Sequence, residues 1–206
     1  MKLKDLVPVR LRRWRHVLAG LNATERQALL GAAVSTTLER RQRDWRPTVR
    51  NAANVVFVCH GNIIRSPLAA AAFAREATVR GRRVQVSSAG LSAVAGKPAD
   101  PRAADSAEER GLPLESHRAR PLDAAQVAAA DAIFIMDPLN LGRILARFPD
   151  AADRVFLLGG CRPDGRMTLT EIHDPVSGTL DDVRVAHDEV IAAVQVLASA
   201  WDEPTP

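Results

Sequence analysis

From about residue 54 to the C-terminus, short apolar runs alternate with longer stretches in which apolar residues recur at helical spacing. This alternation is typical of βαβ units, in which consecutive strands lie parallel in one sheet. Several helical stretches open with Ser, Asp or Pro and close with Gly, the residues that favour helix ends. The pattern predicts an α/β fold with strands in NVVFV, RVQVSS, AIFIMD and RVFLLG, and helices in SPLAAAAFAREATVRG, DPRAADSAEERG, DAAQVAAA, LNLGRILARF and LDDVRVAHDEVIAAVQVLASAW.

The first fifty residues follow a purely helical pattern. Apolar residues recur every three or four positions from Leu11 to Leu21, which predicts a short amphipathic helix. A second helix is predicted over about 25 to 43, preceded by Thr24 and Gln27 at the spacing of a capping box. Pro47 interrupts the pattern, so RPTVRNAAN is interpreted as a linker. The chain is therefore divided near residue 51 into a helical extension, residues 1–50, and a domain over residues 51–206.

The positive charge of the chain is concentrated near its N-terminus. The formal net charge is +4, but residues 1–54 carry 12 basic against 4 acidic residues, and the remainder carries 16 against 20. We interpret the basic extension as a segment that packs on the domain or on a second subunit, with arginines facing water. An acidic partner or a membrane surface is the alternative. Nucleic acid is not expected, because no recognition motif accompanies the charge.

The remaining composition restricts the compartment and the cofactors. No stretch approaches 18 uninterrupted apolar residues, and the N-terminus lacks the apolar core and cleavage site of a secretory signal, so a cytoplasmic protein is expected. The two cysteines, Cys59 and Cys161, form no CxxC pair, and the five histidines lack metal-ligand spacing. Neither a disulfide, nor a metal, nor another cofactor is expected.

The stretch with the most specific chemistry is the turn after the first predicted strand. Cys59 ends that strand, a polar turn with Gly61 and Asn62 follows, and the Ser-Pro pair after Arg65 suits the start of a helix. Backbone N–H groups at a helix N-terminus bind oxyanions, and Arg65 can add a bidentate clamp. The same donors stabilise a thiolate. We therefore interpret Cys59 as a nucleophile beside a phosphate site, and not as a buried strand-end thiol. A nucleotide-binding loop is set aside, because no G-x-x-x-x-G-K-[ST] occurs.

A nucleophile that attacks a phosphate ester also needs a proton donor for the leaving oxygen and later a base for water. Asp174 follows the fourth predicted strand, on the carboxyl side where open α/β sheets bind ligands. One carboxylate can fill both roles. The local sequence supports equally well the alternative that Asp174 and Pro175 form only a turn.

Five segments together resemble the low-molecular-weight protein tyrosine phosphatase family, in the order in which they occur in that family. They are VCHGNIIRSP, SSAGLSAVAGKPADPRA, ESHRARPL, DAIFIMDPLNL and IHDPVSG, and the resemblance spans about residues 54 to 200. Its bacterial members, including those encoded for exopolysaccharide production, are the most similar. The resemblance implies a three-layer sandwich around a four-stranded parallel sheet of order 2-1-3-4, preceded here by the helical extension.

The resemblance also implies roles for individual residues. Cys59 is then the nucleophile that forms a phosphocysteine, Arg65 the clamp for the phosphate and transition state, and Asp174 the acid and then the base. The implied substrate is a phosphotyrosyl protein, with a bacterial tyrosine kinase as a candidate partner. The loop residues that are implied to bind substrate are Gly61, Asn62, Ile63, Ile64 and Ser66, of which Ser66 also bonds the thiolate. Ser88 and His117 match the buried polar network that holds the loop through Asn62.

The chain departs from the family pattern at positions that bear on specificity. Ile64 stands where members often have a second cysteine, and Val176 and Ser177 stand where tyrosines often wall the substrate slot. His60 occupies a position that is often apolar and is not assigned to catalysis. Ile63 favours a tyrosine phosphatase, because related arginine phosphatases carry threonine there. The alternatives are a phosphatase for phosphoarginine or small esters, an arsenate reductase, and a phosphate-binding adaptor without turnover.

Overall fold

The computed structural model describes residues 17–38, 44–168 and 170–202, with the backbone alone for 32–38. Within this part, the helical residues 17–19 are followed by seven α-helices, three short 3-10 helices and four strands. In chain order they are α1 (Ala23–Leu38), α2 (Arg46–Asn51), β1 (Asn54–Cys59), α3 (Arg65–Val79), β2 (Gln85–Gly90), α4 (Pro101–Glu108), α5 (Ala124–Ala129), β3 (Ala132–Ile135), α6 (Pro138–Arg147), a 3-10 helix (Pro149–Arg154), β4 (Val155–Leu157), a 3-10 helix (Leu158–Gly160), α7 (Leu180–Ala198) and a 3-10 helix (Ser199–Trp201).

The four strands form one parallel sheet in the order β2-β1-β3-β4, which confirms the predicted topology. Val56 lies opposite Ser87 on one side and Ile133 on the other. Strands β1, β3 and β4 are almost entirely buried, because helices cover both faces of the sheet, whereas the edge strand β2 is buried only at its carboxyl end. The carboxyl ends of all four strands consequently lie along the same edge.

Alternate residues of each strand contribute to two separate cores. On one face Phe57 stacks on Phe134 with ring centroids 5.5 Å apart, and Phe134 stacks on Phe156 at 5.7 Å. Helices α3 and α7 close this core. On the other face, Val58 and Ile135 pack against residues of α5, α6 and α1. This arrangement of helices, sheet and helices is the predicted three-layer sandwich.

Side-chain caps set the start of several predicted helices. Asp123 and Gln126 form a capping box at α5, Thr179 and Asp182 form another at α7, and Asp100 accepts the Arg102 N–H at α4. The expectation for α3 was wrong, because this helix begins at Arg65 and has no side-chain cap. The Ser66 hydroxyl, which was expected to cap this helix, points instead into the loop that precedes it.

The N-terminal extension differs in detail from its prediction. Residues 17–21 of the first predicted helix are described: 17–19 are helical, whereas 20 and 21 form a turn, so this helix ends earlier than predicted. Residues 11–16 of this helix and 39–43 of the second lie outside the described residues. The cap of α1 consists of Asn22 and Glu25, each of which accepts a backbone N–H from the other, so the Thr24 and Gln27 pair was wrong. Asparagine caps as well as threonine does, and it places the start of the helix two residues earlier.

The stretch that was interpreted as a linker is also helical, in α2. Pro47 lies in the first turn of this helix, where a missing N–H costs nothing. Trp45 and Val49 are fully buried in the core that contains Phe57, and the Trp45 indole N–H donates to the Arg162 carbonyl at 3.1 Å. The division of the chain near residue 51 stays a prediction. No helix in residues 17–38, 44–168 and 170–202 is long and apolar enough to cross a membrane.

Candidate active site

The loop between β1 and α3 lies at the carboxyl edge of the sheet and holds the cysteine and the arginine together. Cys59 is the last residue of β1 and is 3% exposed, whereas Arg65 opens α3 and is 1% exposed. Asn62, midway between them, has a φ of +53°. A left-handed residue at this point reverses the chain, and asparagine tolerates this conformation better than most residues.

The Cys59 thiol is surrounded by hydrogen-bonding groups although it is buried. The Asn62 backbone N–H donates to Sγ at 3.2 Å, and the Ser66 hydroxyl lies 3.1 Å from Sγ. The N-terminus of α3 also points toward this loop. These groups stabilise negative charge, both on sulfur and on an oxyanion bound in front of it.

The Arg65 guanidinium lies between two carboxylates. Its Nη1 donates to Asp137 at 2.8 Å and to the Ile172 carbonyl at 3.1 Å, and its Nη2 donates to Asp174. Burial by itself lowers the pKa of Arg65, but the charges of Cys59, Asp174 and Asp137 raise it above its ordinary value. The arginine therefore stays positively charged in a buried site, as an anion clamp has to.

Asp174 reaches this arginine from a distant part of the chain, the loop between β4 and α7. Its side chain is 36% exposed, which leaves one side open to solvent or a ligand. Its Oδ1 accepts the Val176 N–H at 3.3 Å, so the loop itself orients the carboxylate. The structure thus brings together the three residues that sequence analysis singled out for chemistry.

The side chain of Asn62 ties the loop to its surroundings. Its Nδ2 donates to the Ser66 and Ser88 hydroxyls, both at 2.9 Å, and its Oδ1 accepts the Arg120 backbone N–H at 2.9 Å. The His117 Nε2 lies 2.7 Å from the Asn62 backbone carbonyl. Burial, with nearby arginines, lowers the pKa of His117 and favours the neutral ring. Every hydrogen-bonding group of Asn62 is therefore used to hold its strained backbone in place.

The remaining predicted loop residues contribute backbone rather than polar side chains. Ile64 is 3% exposed and packs with Ala103 and Val183, and Ile63 packs against this cluster. The Ile63 carbonyl accepts the Asp100 N–H at 2.9 Å. A Cβ on Gly61 would meet only the Ile63 side chain, at 3.4 Å, so this glycine is not required by close packing.

Three further residues support the loop, and sequence analysis missed them. Asp137 holds Arg65; its position directly after a parallel strand and before Pro138 could have identified it. A Cβ on Gly90 would lie 2.8 Å from the His60 carbonyl, so only glycine lets β2 end against the loop. His187 on α7 is fully buried beside the loop, with Nδ1 3.0 Å from the Ser106 hydroxyl.

The second cysteine lies outside this site. Cys161 is buried after β4, where its thiol donates to the Leu157 carbonyl at 3.5 Å and to the Met167 sulfur at 3.7 Å. Burial raises the pKa of this thiol far above its ordinary value, because a thiolate would lose its hydration there. Cys161 is therefore a structural core residue.

A thiol and an arginine in one loop at the carboxyl edge of a four-stranded parallel sheet, with an aspartate facing them, define a cysteine-dependent phosphatase. Residues 54–204 match the family described as low molecular weight phosphotyrosine protein phosphatase, and the chain belongs to this family. The chain is 34% identical over 147 residues to the probable low molecular weight protein-tyrosine-phosphatase EpsP of Ralstonia nicotianae, which covers 71% of this chain and 92% of that protein.

Similar proteins of a second specificity are also found. The protein-arginine-phosphatase of Geobacillus stearothermophilus is 32% identical over 144 residues, which covers 70% of this chain and 93% of that protein. The crystal structure of a YwlE mutant from Bacillus subtilis superposes with a TM-score of 0.68 at 29% identity, covering 74% of this chain and 100% of that chain. The sequence and fold comparisons thus agree on the family and include enzymes named for two different phosphoresidues.

Proposed function

We propose that this protein hydrolyses phosphotyrosine in proteins through a phosphocysteine intermediate. The observation that supports this most directly is the position of the Cys59 thiol. It receives the Asn62 N–H and lies beside the Ser66 hydroxyl, and the loop that contains it ends at Arg65, which contacts Asp174. A nucleophile, an anion clamp and a carboxyl group are what hydrolysis of a phosphate ester requires.

In the first step, Cys59 Sγ attacks phosphorus, a P–S bond forms, and the bond from phosphorus to the tyrosyl oxygen breaks. Asp174 in its protonated form gives its proton to that leaving oxygen. An incoming phosphate competes with Asp174 for Arg65 Nη2, so binding would free the carboxyl group to face the leaving oxygen. Asp137 and the Ile172 carbonyl keep Nη1 in place meanwhile.

In the second step, Asp174 accepts a proton from water while the water oxygen attacks phosphorus. The P–S bond breaks, the electron pair returns to sulfur, and inorganic phosphate leaves. The Asn62 N–H and the Ser66 hydroxyl stabilise the departing thiolate, as they do the attacking one.

The experiment that tests this proposal uses p-nitrophenyl phosphate and the purified chain. We expect Cys59→Ser to abolish turnover, and Asp174→Asn to lower the rate about 10²- to 10⁴-fold while phosphate binding persists. An unchanged rate in Asp174→Asn would remove that residue from the mechanism. Phosphate binding without turnover by the wild type would identify an adaptor instead.

Phosphoarginine is the second candidate substrate, supported by the similar proteins named as arginine phosphatases. Ile63 favours phosphotyrosine over phosphoarginine as the substrate. The substrate slot, however, is not lined by tyrosine: Val176 stands at that position and is 55% exposed, and the chain contains no tyrosine. Rates on matched phosphotyrosyl, phosphoarginyl and phosphoseryl peptides decide between them. A tyrosine kinase as partner and a cytoplasmic location are further parts of the proposal that the sequence resemblance supports.

A further inference from the structure

Two arginines of α6, Arg143 and Arg147, lie at the rim of the catalytic loop. Arg143 Nη1 lies 3.2 Å from Nδ1 of His60, the residue next to Cys59. Arg147 donates to the carbonyls of Leu91 and Leu122, both at 3.2 Å, and the Leu91 N–H in turn bonds the Cys59 carbonyl. The two arginines are four positions apart and so share one face of the helix.

The charges of these two arginines are not balanced by a carboxylate within the described residues, since their partners are carbonyls and an imidazole. Some other arginines of the domain are paired with acids, such as Arg80 with Glu76 and Asp202, and Arg110 with Glu109 and Asp188. Two uncompensated positive charges beside the site attract anions.

The N-terminal segment helps to place this pair. A Cβ on Gly142 would lie 2.9 Å from Leu21 Cδ1 and 3.0 Å from the Glu25 carbonyl, so the segment packs closely on α6 at this glycine. The Gly20 carbonyl accepts from Arg143 Nη2 at 3.2 Å. The same guanidinium is thus held from one side by the segment and from the other by the catalytic loop. None of the residues 17–25 lies in the part of the chain that matches the family.

Each guanidinium remains able to bind a further anion. A guanidinium has five N–H donors, and contacts with described residues use two of them in each arginine, which leaves three. The Arg147 guanidinium also lies over the Phe148 ring, 5.1 Å from its centroid, which restrains its position. Donors that are already held in place lose less entropy when they bind.

We propose that Arg143 and Arg147 form a second anion subsite, which selects phosphoprotein substrates with Asp or Glu close to the phosphorylated residue. This inference rests on the proposed function, whose substrate class it narrows. His60 adjoins the nucleophile, so the subsite lies within roughly three extended residues of a phosphate bound at Cys59. A carboxylate is the partner that a guanidinium binds in bidentate geometry.

The test compares two phosphotyrosyl peptides that differ only in having Asp and Glu, or Asn and Gln, on both sides of the phosphotyrosine. The readout is the ratio of their kcat/KM values for the wild type, Arg143→Gln, Arg147→Gln and the double variant. Arg83→Gln is the matched control, because it removes one exposed arginine just before β2, at the opposite edge of the sheet.

We expect the wild type to prefer the acidic peptide, each single variant to lose about two- to five-fold of this preference, and the double variant to lose nearly all of it. Arg83→Gln should keep the preference, and high salt should weaken it in the wild type. Equal use of the two peptides by the wild type, or an unchanged ratio in the double variant, would overturn the proposal.

Binding separates this inference from the proposed function. The affinities of both peptides for Cys59→Ser, with and without the two arginine substitutions, are measured by fluorescence anisotropy. A preference for the acidic peptide that needs the arginines supports the subsite even if p-nitrophenyl phosphate is not hydrolysed. Hydrolysis without any such preference would leave the proposed function intact and remove the subsite.

Discussion

The buried histidine beside the catalytic loop predicts how stability depends on pH. His187 is fully buried, its Nδ1 lies 3.0 Å from the Ser106 hydroxyl, and its Nε2 has no hydrogen-bond partner among the described residues. Burial lowers its pKa to about 4, helped by Arg110 and opposed by the Ile64 carbonyl and Asp188.

The sign and size of the effect follow from linkage. In the unfolded chain the pKa of this ring is about 6.5. As the pH falls below that value, the unfolded state therefore binds a proton that the folded state does not bind. Stability is fully present above about pH 6.5 and is lost as pH falls toward about 4. The full loss is roughly 3 kcal/mol, of which about 2 kcal/mol falls between pH 7 and pH 5.

The assay is urea unfolding of the wild type and of His187→Gln at a series of pH values, followed by tryptophan fluorescence, to which the fully buried Trp45 contributes. Glutamine can still bond Ser106 but does not titrate. We expect the free energy of unfolding of the wild type to fall by about 2 kcal/mol more than that of the variant between pH 7 and pH 5. Other titrating groups, including His117, are common to both proteins and cancel. If the free energies of unfolding of the two proteins changed with pH in parallel, this reasoning would be refuted.

Two further predictions concern the loop and the extension. Asn62→Ala should lower the free energy of unfolding by roughly 2–4 kcal/mol, because alanine disfavours a φ of +53° and the Arg120 N–H loses its acceptor. Asn62→Gly should lower the free energy of unfolding less in the same urea melts. Equal decreases in the two variants would exclude a contribution from backbone strain. Gly142→Ala should destabilise the packing of residues 20–25 on α6 by about 1–3 kcal/mol, seen as faster amide hydrogen exchange there. Gly31→Ala is its control, since a Cβ at Gly31 meets nothing within 4 Å among the described residues, and unchanged exchange in Gly142→Ala would contradict the packing argument.

The parts of the site that were predictable are those that lie close together along the chain. Cys59 and Arg65 belong to one strand-turn-helix segment, in which apolar run, polar turn and helix start can each be read locally. The contact of Arg65 with Asp174 could be expected only from the resemblance, because the local sequence supported a simple turn equally well. The sequence position of Asp137 after a strand could have marked it as a candidate, but its contact with Arg65 depends on β3 lying beside β1, where their carboxyl ends meet.

Errors arose where several local solutions were available. Asn22 and Thr24 can each begin a helix, and α1 uses the earlier one. Ser66 suits an N-cap in isolation, but in the structure its hydroxyl is engaged by Cys59 and Asn62. Pro47 ends a helix in one context and opens one in another, and here the burial of Val49 in the main core favours the helix.

By itself, the sequence determined the α/β class, the four strands and the turn that joins a thiol to an arginine, because hydrophobic periodicity and turn residues act over a few neighbouring positions. Only the tertiary structure decided which carboxylates face Arg65 and that the His187 side chain is buried beside the loop. It also decided that the N-terminal segment packs on α6 beside His60. These contacts join residues that are far apart in the chain, and their energies depend on distance and burial, which no local pattern specifies.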